Sequence, residues 1–102
     1  MVKMRLTPLR AEKRIHQLAS TSANIVFGFD ALAGMRERGI TDVQVLEILL
    51  AGFVSENPVL TEHNDWQCKI TKELRGRREA GILIVILQNS RLFLKTVEWE
   101  DA

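Results

Sequence analysis

The first half of the chain carries apolar residues at the three- and four-residue spacing of amphipathic helices. Thr7-Pro8 combines an N-cap residue with a proline at the first helical position, where the missing N–H is not needed. A helix is therefore predicted from there to near Ser20. Its apolar positions are predicted to share one face: Leu9, Ala11, Ile15, Leu18 and Ala19.

Two further helices are predicted on either side of a Gly-Ile-Thr corner. Asp30 is the predicted N-cap of the first, and Gly39 stands where a left-handed C-cap belongs. Thr41 and Gln44 have the spacing of a capping box and open the next helix, which is predicted to end before Gly52. The predicted inward side chains of these helices are Ala31, Leu32, Met35, Val45, Leu46, Leu49 and Leu50.

The second half of the chain changes to the two-residue period of β-strands. Alternation from Trp66 to Thr71 predicts a half-buried strand, and Leu92 to Val97 alternates in the same way. Between them, the unbroken apolar run from Gly81 to Leu87 predicts a central strand that is covered on both faces. Because consecutive strands usually pair, the three are expected to form an antiparallel meander.

Two shorter segments complete the predicted fold. Ile25-Val26-Phe27 is expected to be a brief strand or extended segment, and Asn57-Pro58 restricts any strand over residues 53–60 to a short, peripheral one. The predicted class is α+β, with N-terminal helices packed on a C-terminal antiparallel β-meander of three to four strands.

Composition supports one globular domain. The chain has 102 residues, of which 46% are hydrophobic and 26% charged, so residues 1–102 are expected to fold as a single domain. Residues 1–14 alternate basic and apolar side chains, which predicts neither a signal peptide nor a membrane span. Cys68 is the single cysteine, which excludes an internal disulfide and predicts an inert buried thiol in the cytoplasm.

Charge is almost balanced, with a net value of +1, so the whole chain does not have the charge of a typical nucleic-acid-binding protein. One ten-residue stretch is strongly basic and contains Lys69, Lys72, Arg75, Arg77 and Arg78. A turn that presents these guanidinium groups can bind phosphates. Exposed hairpins also carry such charges with no ligand at all, and both interpretations remain open.

Few side chains suit acid–base chemistry. The candidates on or beside the predicted sheet are His63, Gln67, Lys69, Lys95 and Glu98, and the chain has no tyrosine. Rossmann, P-loop and zinc motifs are absent, so neither a cofactor nor a metal is predicted. Trp66 and Trp99 are expected to complete the core or its rim rather than to stack on a base.

The order of predicted elements over about residues 24–98 resembles a bacterial family of unknown function that is grouped with RelE-like toxins. The family typically reads Phe-Ser-x-His-Ala-x-x-Arg-Met-x-Glu-Arg-Gly-Ile, and Asp30 and Gly34 replace its His and first Arg. The matching residues are Phe27, Ala31, Met35, Glu37, Arg38, Gly39 and Ile40.

A second resemblance, to the MqsR type of mRNA interferase, involves the leading basic helix and the Trp66-Gln67 step. Gln67 corresponds to a functional glutamine of those toxins. Their sheet tyrosine corresponds to an aliphatic residue near Ile82, and their C-terminal lysine to Glu98.

The resemblances imply a RelE-like core over residues 23–102, preceded by a helical extension over 1–22. They imply an endoribonuclease of a toxin–antitoxin type system, with RNA or the ribosome and an antitoxin-like protein as partners, and with a homodimer as a further possibility. The implied catalytic residues are Gln67, Lys95 and Glu98, and the implied RNA-binding residues are Arg38, Lys69, Arg75, Arg77 and Arg78. The alternative is a catalytically inactive RelE-like module that binds a protein partner or itself.

Overall fold

The computed structural model describes residues 5–101 and confirms the α+β class. Within this range it contains three α-helices and a five-stranded mixed sheet. The helices are α1 (Pro8–Ala19), α2 (Phe29–Arg38) and α3 (Asp42–Ala51). The strands are β1 (Ile25–Phe27), β2 (Val59–Leu60), β3 (Trp66–Leu74), β4 (Arg78–Ile86) and β5 (Leu92–Trp99). None of the helices in this range is long and apolar enough to cross a membrane.

Local sequence signals determine most helix ends. The Thr41 side chain accepts a hydrogen bond from the Gln44 amide at 3.1 Å, and the Gln44 side chain accepts one from the Thr41 amide at 2.9 Å, which confirms the capping box. Gly39 has a φ of +68° and ends α2 as predicted. The predicted N-cap at Asp30 is wrong, because the N-cap is Gly28 and α2 begins at Phe29, two residues earlier than an Asp30 cap predicts. Asp30 lies instead in the first turn, where its charge favours the helix dipole.

The sheet has the strand order β1-β5-β4-β3-β2. Strands β3, β4 and β5 form the predicted antiparallel meander, and β2 is a two-residue edge strand, as expected for residues 53–60. The structure extends the predicted three to four strands to five, because β1 pairs in parallel with β5. Parallel pairing joins segments that are far apart in sequence, so the short apolar run of β1 could not indicate it.

The helices cover one face of the sheet and its β5 side: α3 packs on β3 and β4, α1 packs mainly on α3, and α2 lies along β5. The core lies between the helices and the sheet. In β4, Ile82 and Ile84 are fully buried beneath the helices, whereas Val85 on the other face is only partly buried. The expectation that β4 is covered on both faces is therefore wrong. Four residues predicted to point inward are 38% to 58% exposed, since single-layer packing buries only a narrow helical stripe: Leu9, Leu32, Leu46 and Leu50.

Strand β5 contains a β-bulge at Lys95. Leu83 pairs with Thr96 while the next residue, Ile84, pairs with Leu94, so Lys95 is the extra residue in the ladder. Beyond the bulge, Val97 returns to the helix-covered face and is 1% exposed. The bulge thereby keeps the core continuous while it places an extra polar side chain at the sheet surface.

Candidate functional site

The side of the sheet that carries no helix is the main candidate surface, and we call it the open face. Three strands contribute alternate side chains to it, with polar residues from β3 and β5 on either side of apolar residues from β4. Its principal residues are Gln67, Lys69, Leu83, Val85, Phe93, Lys95, Thr96 and Glu98. The register brings together Gln67 and Lys95, two of the predicted catalytic residues, from strands that are not neighbours in sequence. The third, Glu98, pairs with Gly81 further along the sheet and does not reach them.

A groove of about 530 Å³ lies at one end of the open face. The Lys95 ammonium donates a hydrogen bond to the Gln67 side-chain oxygen at 3.1 Å across this groove. Val85 and Phe93 contribute apolar surface, and His63 stands at the border with 80% of its side chain exposed. The groove therefore combines a cation, an amide, an imidazole and an aromatic ring.

The loop that carries His63 is held by its own polar side chains. The Thr61 hydroxyl accepts hydrogen bonds from the amides of His63 and Asp65 at 3.3 and 3.2 Å. The Asp65 carboxylate in turn accepts one from the Gln88 amide at 3.0 Å, which ties the loop to the turn before β5. His63 is consequently presented from a structured turn, and its Nε2 lies 3.7 Å from Glu62 Oε1.

A second polar cluster on the open face is formed by Lys69, Glu98 and Glu100. Lys69 Nζ lies 2.9 Å from Glu100 Oε2 and 3.5 Å from Glu98 Oε1. The hydrogen bond to Glu100, assisted by the charge of both carboxylates, raises the pKa of Lys69 above its ordinary value. Lys69 and Glu98 are therefore partners of each other in this structure, although the family resemblance gives them separate roles.

Arg78 lies at the start of β4 and contacts the C-terminal end of the described chain. Its Nε and Nη2 donate to the two carboxylate oxygens of Asp101 at 3.2 and 3.1 Å, and its guanidinium lies 4.1 Å from the Trp99 ring centroid. The hydrogen bonds from Arg78 lower the pKa of Asp101. Trp99 also donates a hydrogen bond to the Arg38 carbonyl at 3.0 Å, which places this tryptophan at the rim of the core.

Arg38 lines a cleft of about 290 Å³ between α2 and β5, and Glu98 lines the same cleft. The Arg38 guanidinium lies 3.7 Å from the Glu37 carboxylate and folds back towards Gly34. Arg38 also belongs to the last turn of α2, where a cation favours the helix dipole. The structure therefore brings Arg38 near one predicted catalytic residue.

The remaining predicted RNA-binding residues lie at the β3–β4 turn. Arg75 and Arg77 are exposed there, and neither forms an ion pair within residues 5–101. Lys72, which the sequence places in the same basic stretch, points to the helix-covered side and pairs with Glu47 at 2.9 Å. The basic stretch is thus divided between two sides of the sheet.

Sequence reasoning missed the apolar floor of the groove. Phe93 alternates with the buried Leu92 and Leu94, and this alternation was the available signal that its ring faces the opposite side. Cys68 is buried as predicted, and burial raises its pKa to about 11. Among residues 5–101 no group of three or more His, Cys, Asp or Glu side chains is arranged to hold a metal ion.

Comparisons of the chain with protein families, with curated proteins and with solved structures find no match.

Proposed function

We propose that the protein is a toxin-like endoribonuclease with a RelE-like core, and that its RNA-binding site is the open face. The observation that carries the proposal is the contact between Lys95 and Gln67 at 3.1 Å, inside a groove that also includes His63 and Phe93. These side chains supply a fixed charge, hydrogen bonding, proton transfer and a ring for base stacking.

The proposed reaction is attack of an RNA 2′-oxygen on the adjacent phosphorus. A bond forms between the 2′-oxygen and phosphorus while the bond from phosphorus to the 5′-oxygen breaks. The departing 5′-oxygen takes a proton from water, which leaves a 2′,3′-cyclic phosphate and a 5′-hydroxyl. The His63 imidazole accepts the 2′-hydroxyl proton, since imidazole transfers protons readily near neutral pH. Lys95 stabilises the negative charge that develops on the phosphate oxygens, and Gln67 orients the phosphate by hydrogen bonding.

The other predicted site residues act around this centre in the proposal. Glu98 is paired with Lys69, so its role is to position that lysine rather than to accept the proton. Arg38 lies in the neighbouring cleft, and Arg75 and Arg77 extend the basic surface along the hairpin. RNA phosphates that follow the open face would meet these cations in turn.

The element order supports the RelE-like arrangement. A helix precedes a strand, two helices that meet at a Gly-Ile-Thr corner, and a three-stranded meander. In this proposal the protein acts in the cytoplasm, and an antitoxin-like protein is the partner that covers the open face.

The test is cleavage of single-stranded RNA by the purified protein, followed by identification of the product ends. Replacing one group that stabilises transition-state charge typically lowers a rate by about 100- to 1,000-fold, so K95M is expected to lose at least 100-fold. Q67A and H63Q should also be impaired. K72M is the matched control, because it removes a lysine from the helix-covered side.

Growth provides a second readout. Induced expression is expected to arrest growth, and arrest should be relieved when Arg75, Arg77 and Arg78 are all replaced by alanine. Intact RNA together with normal growth would refute the ribonuclease proposal.

The second candidate is an inactive module on the same scaffold that binds a protein partner or another copy of itself. This alternative is favoured because three cations of the basic stretch already form ion pairs with carboxylates of this chain: Lys69, Lys72 and Arg78. Under this alternative, substitutions on the open face weaken binding to the partner, and no RNA is cleaved by the wild-type protein.

A further inference from the structure

The last described residues form a short acidic segment, Glu98–Asp101, which we call the acidic strap. Its carboxylates contact two of the five predicted RNA-binding cations, Lys69 and Arg78. Glu100 follows β5 in the chain, yet its carboxylate reaches Lys69 on β3. The Glu100 side chain therefore crosses the central strand β4 on the open face.

Gly81 provides the space for this crossing. A Cβ atom on Gly81 would lie 2.7 Å from Glu100 Oε2 and 2.8 Å from Glu100 Cδ. These distances are below van der Waals contact, so a larger residue at position 81 would displace the carboxylate. The Glu100 carboxylate can therefore lie against the β4 backbone only because residue 81 has no side chain.

The contact with Arg78 has the geometry of anion recognition. Two guanidinium nitrogens donate to two carboxylate oxygens, which is the fork arrangement that arginine also makes with phosphate. The Trp99 ring beside the guanidinium holds the fork in place. Asp101 therefore occupies the position on Arg78 that an incoming phosphate oxygen pair would take.

We propose that the acidic strap is an intramolecular substitute for RNA, in which the Glu100 and Asp101 carboxylates occupy two phosphate-binding positions. The first position is Lys69 on the open face, and the second is Arg78 at the start of β4, whose side chain stacks on Trp99 on the helix-covered side of the same end of the sheet. This inference rests on the proposed function, because it assumes that RNA phosphates bind the same cations as the Glu100 and Asp101 carboxylates. Ion pairs between partly exposed side chains are weak, so a polyanion can displace the carboxylates when it binds several cations at once. The acidic strap then lowers RNA affinity in the resting protein.

The experiment compares two single substitutions that are matched in charge and geometry. E100Q removes the nearer of the two carboxylates beside Lys69 on the open face and leaves Glu98 at 3.5 Å, whereas E47Q removes the carboxylate beside Lys72 on the helix-covered side. Both broken contacts are 2.9 Å long. The probe is a fluorescein-labelled oligouridine RNA, and its dissociation constant is measured by anisotropy at several salt concentrations. E100Q is expected to bind more tightly than both wild type and E47Q.

The size of the effect follows from counterion release. Each additional phosphate that the protein neutralises on single-stranded RNA steepens the slope of log affinity against log salt by about 0.7. E100Q/D101N removes the nearest carboxylate from each of two cations, and it should therefore raise affinity by about tenfold near physiological salt. Thermal melting of each variant establishes that it is folded.

G81A gives a test without any change in charge. Its added methyl group displaces the Glu100 carboxylate. G81A should therefore bind the RNA more tightly than wild type, as E100Q does. Equal affinities of wild type, E100Q and G81A, or an equal increase in affinity in E47Q, would overturn the inference. Tighter binding without cleavage would support it while refuting the ribonuclease activity, because binding and cleavage are measured separately.

Discussion

Replacing Gly34 by alanine tests how α2 is seated on the sheet. Gly34 is buried on the face of α2 that packs against β5. A Cβ at this position would lie 2.5 Å from the Val97 carbonyl oxygen and 2.8 Å from an Arg38 guanidinium nitrogen. The arginine can move aside, but the Val97 carbonyl is part of the β5 backbone, which is fixed at this position by its pairing with Ile82 of β4. The helix must therefore shift away from β5.

Two opposing effects decide the size of the change in stability. Alanine is favoured over glycine inside a helix by about 1 kcal/mol. Overpacking typically costs about 1–3 kcal/mol, and the upper part of this range applies because the obstacle is backbone. Gly34→Ala is therefore expected to lower the free energy of unfolding by about 1–2 kcal/mol, with the melting temperature falling by about 4–8 °C for each kcal/mol.

Circular dichroism with urea and with heat measures this change. Gly81→Ala is the matched control, because its added methyl group meets only the flexible end of the Glu100 side chain. The control is expected to stay within about 0.5 kcal/mol of wild type. If Gly34→Ala is as stable as wild type or more stable, helix propensity outweighs the contact with Val97, and the reasoning is refuted.

Three other predictions concern a helix cap, a thiol and an ion pair. Thr41→Ala removes the N-cap side chain of α3 and should lower the free energy of unfolding by about 1 kcal/mol in a urea titration; an unchanged midpoint would contradict the capping role. The Cys68 thiol, with its pKa of about 11, should react with a thiol reagent at mildly alkaline pH only after unfolding, and rapid labelling of the folded protein would show that it is accessible. Because Arg78 lowers the pKa of Asp101, their pair should stabilise the fold above the ordinary pKa of 3.8 and be lost as the pH falls through the lowered value. Arg78→Gln should raise the Asp101 pKa measured by NMR titration, and an unchanged pKa would exclude the interaction.

Short-range signals made the helix ends predictable. The Thr41–Gln44 capping box and the left-handed Gly39 each depend on residues within one turn, and both are confirmed. The parallel pairing of β1 with β5 joins Ile25 to Leu92, and no local pattern specifies such a partner. The exposed face of β4 was missed for a related reason, because a continuous apolar run does not indicate how many helical layers cover it.

The candidate site was predictable as a set of residue types but not as an arrangement. Gln67 and Lys95 are 28 residues apart, and their contact depends on the β3–β4–β5 register and on the bulge. The reach of Glu100 over Gly81 left no sequence signal at all. Only the structure explains the glycine at position 34, since any Cβ there would lie 2.5 Å from the Val97 carbonyl oxygen.

The bulge at Lys95 also makes β5 tolerant of a change in length at one point. Strand residues alternate between faces, so without Lys95 the ladder would become regular, and Leu94 and Val97 would both still face the core. Loss of Phe93 would instead turn Leu94 outward. A lineage could therefore acquire or discard the cation of the groove through a single-codon insertion or deletion, while the buried half of the strand stays unchanged.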